Sequence, residues 1–493
     1  MHTSEQTQAG SSGSATASSV LCVDLDGTLL QSDLLWESLL LLLKRRPVTL
    51  LRLPAWLARG KAYTKRQIAL RVAPNPATLN YHPQVLELIR ETRQQNGRVV
   101  LVTASDALVV EPIRDHLGIF TDCMASDGTT NLSGATKRDA LLSRFGESGF
   151  DYAGDSPRDL PVWKEAQTAI LVEPSAALKK SAMRVSRSVR VIESEKRPLA
   201  ALWRALRPHQ WLKNVLIFVP LVLAHRIRDL GTLERAVLAF AEFSLCASAA
   251  YLLNDLLDLE ADRVHRTKRN RPIASGRVPI PAALGLALIL LLISFGLAGF
   301  TAHLAAIGLL ALYLVVTTAY SLSLKKIAIL DVVTLSGLYT LRIFFGAVSV
   351  HVPVSPWLLA FSVFFFMSLA MAKRFSELVR SPQEESREVA GRGYRPGDRL
   401  IISNLGAASG YVSVLVMALY VNSQEVTALY HRPQLLWAIC PTLLYWISRL
   451  WLIAYRGELG EDPVVFAMED RLSYLLGGLA LLGILLASPK PVL

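Results

Sequence analysis

The chain has 493 residues, 52 % of them hydrophobic, with 52 Lys and Arg against 40 Asp and Glu for a formal net charge of +12. That length is too great for one ordinary soluble core and implies at least two domains. The basic residues cluster beside apolar stretches, so membrane headgroups and phosphorylated substrates explain the charge better than nucleic acid, which is not an expected partner. Cys22, Cys123, Cys246 and Cys440 are scattered and form no C-x-x-C pair. They argue against a zinc site or a disulfide framework and fit a reducing cytoplasm.

Residues 1–19 are rich in Ser, Thr, Ala and Gly, with neither a basic n-region nor an apolar h-region. They read as a disordered tail and not as a signal peptide. Val20 to Leu30, VLCVDLDGTLL, reads as a buried strand. Asp24 and Asp26 follow in a loop past its carboxyl end, where open α/β sheets bind ligands. Roughly 60 residues without a strand signal come next, and they predict a helical cap over about 33–92. Within it, LLWESLLLLLKRRPVTLLRLPAWLARG mixes leucine, tryptophan and arginine. It suits either leucines packed on each other or a surface resting on membrane headgroups. The leucine run at 39–43 is far too short to span a bilayer. Arg98 to Ser105, RVVLVTAS, is a second buried strand ending near Thr103. Lys137 stands in GATKRDAL at an expected helix start, and YAGDSPRD places Asp155 and Asp159 after another short strand. Residues 174–200 carry scattered basic groups that finish this domain and link it to the apolar remainder of the chain.

The order D-x-D-G-T, strand-T, K, G-D-S-x-x-D resembles the haloacid dehalogenase superfamily of phosphatases over about residues 20–175. The resemblance implies a Rossmann-like α/β domain with a helical cap over 20–196. It implies that Asp24 attacks phosphorus as a carboxylate nucleophile. Asp26 would protonate the leaving oxygen and later activate water. Thr103 and Lys137 would hold phosphoryl oxygens, and Asp155, with Asp24 and Asp159, would bind Mg²⁺.

From 197 to 493 the chain reads as an all-α polytopic membrane domain. Nine apolar spans lie near 212–225, 235–254, 281–300, 302–321, 328–349, 356–372, 401–421, 434–454 and 472–488. Each is close to the length of about 20 residues that crosses a hydrocarbon core as a helix. Lys and Arg concentrate in the loops 255–280, 325–326, 373–400 and 455–471, all after even-numbered spans. The positive-inside rule therefore places the amino-terminal domain in the cytoplasm, beneath a bacterial-type inner membrane.

The second span runs into NDLLDLEADRVHRTKRNRPIASG, Asn254 to Gly276. A helix continued through it turns about 100° per residue and puts Asn254, Asp255, Asp258 and Asp262 on one face. Three carboxylates and an amide suit Mg²⁺, and His265, Lys268, Arg269 and Arg271 supply donors for phosphate oxygens. Further polar groups gather at the same edge: Arg207, His209, Trp211 and Lys213, then Tyr320 and Lys325, then Lys373, Arg374 and Glu377. Asp331 and Arg342 fall within the fifth span, where ionisable groups are costly and therefore functional candidates.

N-D-x-x-D-x-x-x-D followed by K-x-x-R-P-I-A-S-G resembles the first aspartate-rich motif of the UbiA superfamily of intramembrane prenyltransferases, with the likeness covering roughly 200–490. It implies catalytic and metal-binding roles for Asp255 and Asp258, with Asp262 as a further ligand. Substrate binding would fall to Lys213, Asn254, His265, Lys268, Arg271, Tyr320, Lys325, Arg342, Lys373 and Arg374. The D-x-x-x-D motif that typical aromatic prenyltransferases carry after the sixth span is absent from KRFSELVRSPQEESREVAGRGYRPGD. Instead Y-S-x-x-L-K…D, K-R-x-x-E-L and E-D-P-V-V-F-A-x-x-D-R resemble the branch that includes decaprenyl-phosphate phosphoribosyltransferase. That branch implies phosphoribosyl transfer from phosphoribosyl diphosphate to a polyprenyl phosphate. The fused phosphatase would hydrolyse a phosphomonoester, with the 5′-phosphate of the lipid product a natural candidate. Two alternatives stay open: transfer of a prenyl group from polyprenyl diphosphate to an aromatic or other small acceptor, and a transport or lipid-binding scaffold that carries a phosphatase.

Overall fold

The computed structural model describes residues 20–193, 198–300, 304–380, 393–460 and 463–487. The tail expected at 1–19 lies outside the described residues. Two compact units emerge: one takes the chain up to Ala201 together with Leu259–Ala282, and the other takes Leu202–Asp258 with Ala283–Leu493.

The first unit is built on six parallel strands: β1 (Val20–Val23), β2 (Arg98–Asp106), β3 (Asp122–Ser126), β4 (Asp151–Gly154), β5 (Ala169–Val172) and β6 (Val189–Ile192). Their order is β3-β2-β1-β4-β5-β6. Runs such as VLCV and AILV are apolar throughout because a parallel sheet is covered on both faces. Leu21, Val23, Val99 and Leu101 pack on one side. Cys22, Val100, Val102 and Leu171 alternate to the other, against Tyr152 and Trp163. The chain winds outward from β1 in both directions, so the topological switch point, where such sheets bind ligands, lies at the end of β1.

Between β1 and β2, the side chain of Asp33 caps the helix Leu34–Arg45 by accepting from the backbone of Leu35 and Trp36. That helix, the short turn through Leu57 and the helix Lys61–Ala69 close on their own cluster of Leu41, Leu42, Trp56, Ile68 and Val72. Val48, Leu51 and Leu57 are left exposed, beside the exposed Arg45, Arg46, Arg52 and Arg59. The helix Pro83–Gln94 turns Val85, Leu88 and Ile89 onto the sheet instead.

In the second unit, seven helices among the described residues are long and apolar enough to cross a membrane: Leu230–Leu257, Ile280–Phe300, Leu304–Leu322, Leu330–Ser349, Pro356–Arg380, Pro396–Val421 and Pro433–Tyr455. The protein is thus a multi-pass membrane protein. Two of the nine expected spans differ. The first becomes a 3-10 segment, Pro208–Phe218, and a five-residue helix, Val219–Leu223. Its prolines lack the N–H that a continuous helix would need. The last, Arg471–Ala487, has 17 residues, short of the usual span. The helix expected to carry all four residues of the aspartate motif also ends early. Leu230–Leu257 stops at Asp258, whose ψ of 8° leaves the helical range, and a separate helix, Leu259–Val264, carries Asp262.

Candidate active sites

In the first unit the sheet's switch point and the cap enclose a set of charged groups. Asp24 follows β1 directly, and its Oδ1 accepts from the Leu25 backbone at 2.8 Å and from Lys137 Nζ at 3.0 Å. Lys137 is buried near the start of the helix Ala135–Phe145. It also donates to Tyr152 Oη at 2.8 Å, and Tyr152 in turn donates to Asp159 Oδ1 at 3.0 Å. Asp159 is fixed further by the Ser156 backbone and hydroxyl at 3.1 and 3.0 Å. Asp24, Asp155 and Asp159 each present a carboxylate oxygen within 4.8 Å of the others.

Gly27 makes this arrangement possible. Its φ of +74° favours glycine, and a Cβ there would lie 2.1 Å from Asp155 Oδ2. Burial, and then the charges of Asp24 and Asp159, push the Asp155 carboxyl up to about 8. Burial likewise raises Asp24 against the opposing pull of Lys137. Such crowding is what a bound dication would relieve, and an all-carboxylate donor set fits a hard cation such as Mg²⁺.

Asp26 points the other way. Its Oδ1 accepts from the Leu34 backbone at 2.7 Å and its Oδ2 from Ser105 Oγ at 2.8 Å. Burial, followed by the charge of Asp33, raises its carboxyl above the ordinary aspartate range, which suits a group that must both give and take a proton. Thr103 is fully buried within β2, three residues before its end, its hydroxyl accepting from the Ser105 backbone at 3.0 Å. The sequence did not single out Ser105, Tyr152 or Lys65. Ser105 stands two residues after Thr103 and was within reach of the motif. Lys65 was not, because it belongs to the cap: its Nζ donates to the Ala104 carbonyl at 2.6 Å and lies 3.4 Å from Asn131 Oδ1. It lines a cleft with Leu34, Leu35, Ser38, Ile68 and Ala69.

In the second unit the aspartates are matched to bases one by one. Both oxygens of Asp255 take Arg207 Nη2, at 2.6 and 2.8 Å. Arg207 holds a left-handed φ of 53° immediately before Pro208, an uncommon conformation for a side chain of its size, and its guanidinium lies over Tyr251. Asp258 takes Lys325 Nζ at 2.8 and 2.7 Å. Asn254 is half-buried on the same helix. Among the described residues these carboxylates do not form a three-ligand group of the kind seen at Asp24.

A second buried network surrounds Arg374. Its Nε donates to Asp331 at 2.5 Å, Nη1 to Glu377 at 2.6 Å and Nη2 to Tyr320 Oη at 3.0 Å, while Tyr394 Oη also donates to Asp331. Lys373 precedes it, half-buried. Arg342 is caged by the rings of Phe243, Tyr313 and Tyr339, with centroids 5.2 to 5.4 Å away. It donates to Asn214 Oδ1 at 2.9 Å and to the Leu338 carbonyl at 2.5 Å. These partners make Arg342 a prop for the segment Pro208–Phe218, where Lys213 Nζ lies 5.9 Å from the Tyr339 centroid.

Asp262, Arg271, His265 and Lys268 belong to the first unit. Asp262 pairs with Arg271 at 2.5 Å. The exposed His265 uses Nδ1 to accept from the backbone of Thr267 and Lys268, at 3.3 and 3.4 Å, and so shapes its own turn.

Residues 215–469 match the UbiA prenyltransferase family, and residues 21–164 match the haloacid dehalogenase-like hydrolases. The uncharacterized protein y4nM of Sinorhizobium fredii is 40 % identical over 93 % of this chain and 89 % of its own length. Nodulation protein NoeC of Azorhizobium caulinodans is 35 % identical over 58 % of this chain and 92 % of its own. Decaprenyl-phosphate phosphoribosyltransferase of Mycobacterium tuberculosis is 38 % identical over 36 % of this chain and 61 % of its own. Matches to two enzyme families make the chain an enzyme. The chain belongs to the UbiA prenyltransferase family and carries a haloacid dehalogenase-like hydrolase domain on its amino-terminal side.

Proposed function

We propose that the protein is a bifunctional membrane enzyme. Its membrane unit transfers a phosphoribosyl group from phosphoribosyl diphosphate to a polyprenyl phosphate, and its α/β unit hydrolyses a phosphomonoester, with the 5′-phosphate of the lipid product as the proposed substrate. The observation that carries the first half is the pairing of Asp255 and Asp258 with Arg207 and Lys325. It sets oxygen ligands and phosphate-binding cations side by side. The 38 % identity to a decaprenyl-phosphate phosphoribosyltransferase over 187 residues supports the choice of donor. In the transfer, an oxygen of the lipid phosphate attacks the first carbon of the ribose, and that carbon's bond to diphosphate breaks. Arg207, Lys325 and Arg374 neutralise the oxygens of donor and acceptor, with His265, Lys268 and Arg271 as further proposed donors. Mg²⁺ bound by Asp255, Asp258 and Asp262 would supply charge neutralisation for the departing diphosphate.

In the α/β unit, an oxygen of Asp24 attacks phosphorus while Asp26 gives its proton to the leaving alkoxide. Asp26 then takes a proton from the water that hydrolyses the phospho-aspartate. Lys137 lies 3.0 Å from Asp24, where it holds a phosphoryl oxygen and shields the nucleophile from the phosphate's charge. Mg²⁺ on Asp24, Asp155 and Asp159 would offset the negative charge that those groups and the substrate bring together. The excess of Lys and Arg in the loops after even-numbered spans supports a cytoplasmic α/β unit and a bacterial-type inner membrane location.

The test supplies purified protein with Mg²⁺, polyprenyl phosphate and labelled phosphoribosyl diphosphate, and reads lipid products by mass. A phosphoribosyl lipid, followed by loss of one phosphate that depends on Asp24, is the expected result. No labelled lipid, together with turnover of an allylic diphosphate and an aromatic acid, would replace this reading with prenyl transfer.

A further inference from the structure

The loop after the aspartate motif packs with the hydrolase domain: Leu259–Ala282 forms one compact unit with the α/β domain. At its centre, Arg263 reaches Glu37 of the cap through both guanidinium ends, Nη2 to Oε1 at 2.5 Å and Nη1 to Oε2 at 3.1 Å. The two side chains are each only 4 % exposed although 226 residues separate them in sequence. Nη1 and Nε of Arg263 also reach the carbonyls of Thr78 and Ala274, at 3.5 and 3.4 Å. The Asn80 side chain donates to the Ala274 carbonyl. Gly276 sits at φ +74°, which favours glycine, and a Cβ there would stand a tight 3.0 Å from the Gln31 side chain. Leu259, Ile273 and Ala274 of the same loop are buried.

Buried charges of this kind are costly to leave unpaired, and a forked arginine–carboxylate pair fixes orientation as well as distance. The same helix that presents Glu37 begins at Leu34, whose backbone N–H holds Asp26. The backbone of Gln31, between those two sites, donates to the Asn80 carbonyl at 2.9 Å. One turn of helix therefore connects the proton-transfer group of the hydrolase with the loop that carries Asp262, His265, Lys268 and Arg271.

We propose that the hydrolase domain is a docking platform for the transferase's motif loop, with Glu37 and Arg263 as positioning residues that set the loop's conformation. The kinetic consequence rests on the transferase reading above, whereas the structural consequence does not. The experiment uses the full chain in lipid nanodiscs with Glu37→Gln, Arg263→Lys, and the exchanged pair Glu37→Arg with Arg263→Glu. Amide hydrogen exchange over 259–282 is read beside hydrolysis of p-nitrophenyl phosphate and the KM and kcat of phosphoribosyl transfer.

Glu37→Gln is expected to speed exchange throughout 259–282 and raise the KM for phosphoribosyl diphosphate on the order of tenfold. It should leave kcat and p-nitrophenyl phosphate hydrolysis near those of the parent. Arg263→Lys, which keeps the charge but loses the fork, falls between, and the exchanged pair recovers slow exchange. Exchange over 259–282 that is the same in Glu37→Gln and parent protein overturns the proposal, whatever the kinetics. If the parent makes no phosphoribosyl lipid, the function assigned above fails, while exchange still decides whether the platform exists.

Discussion

The two units handle carboxylates in opposite ways. In the α/β cleft, Asp24, Asp155 and Asp159 crowd within 4.8 Å of each other with one buried lysine among them. In the membrane unit, Asp255 and Asp258 each hold a separate cation, Arg207 and Lys325. Burial, together with the surplus of negative charge that the first arrangement leaves, raises the Asp155 carboxyl to about 8. Its framework is fixed by β1, β4 and Gly27, and on the proposed function it would receive a dication without rearranging. The second pairs each carboxylate with a cation of the protein, and on the proposed function these ion pairs would have to open to admit metal and diphosphate together. A preformed site and a site that trades partners should respond differently to the same kinds of change.

The largest expected effect tests whether the sites are separate. Asp24→Asn removes the nucleophile at almost constant volume and should bring phosphatase turnover to background, with phosphoribosyl transfer intact. Asp258→Asn should do the reverse, lowering transfer by a factor of roughly 10² to 10⁴, in the range typical of lost charge stabilisation or acid–base groups. Assaying both activities on both variants settles the matter. Loss of both activities in Asp24→Asn would mean one shared site.

A smaller effect probes preformation itself. Gly27→Ala places a methyl group against Asp155 in a backbone conformation that disfavours any side chain. The phosphatase should then need more Mg²⁺ for half-maximal rate, on the order of tenfold, while the Mg²⁺ dependence of transfer stays put. A Mg²⁺ titration of both reactions checks this. An unchanged phosphatase titration would show that Asp155 does not need its present place to bind the cation.

These two regions also differ in how far they could be read from residues alone. Three of the four site segments follow from short apolar strands, which set off Asp24, Thr103 and Asp155, whereas Lys137, at a helix start, stood out only through the motif order that resembles the haloacid dehalogenases. The membrane unit gave its apolar lengths, but length could not show that the first expected span, with Pro220 inside it, divides into a 3-10 segment and a five-residue helix. Helical periodicity was equally unable to show that Leu230–Leu257 ends just before Asp258. The link from Glu37 to Arg263 had no sequence signal at all. Contacts between distant segments depend on tertiary packing, not on a local repeat. The cap illustrates the same limit, since its leucines both pack inward at Leu41 and Leu42 and face outward at Leu51 and Leu57, and one composition served both expectations.

The smallest effect concerns what the cap adds to the preformed cleft. Lys65 reaches from the cap to the Ala104 carbonyl, between Thr103 and Ser105, and so approaches the residue whose hydroxyl donates to Asp26. Burial lowers its affinity for a proton, against the opposing fields of Asp26 and Asp33. On the proposed function, Lys137 beside Asp24 would hold the transferred group, and a cation at Lys65 would meet the part of the substrate beyond phosphorus. Lys65→Met retains the aliphatic stem that lines the cleft but removes the charge. The KM for the phosphoribosyl lipid should rise by a factor of about ten, equal to about 1.4 kcal/mol of binding. With p-nitrophenyl phosphate, which offers little beyond the phosphate for a cation to hold, KM should hardly change, and kcat should be retained for both. Equal losses on the two substrates would place Lys65 with the reacting phosphoryl group, and a fall in thermal stability with unchanged KM would make it a strut between cap and sheet.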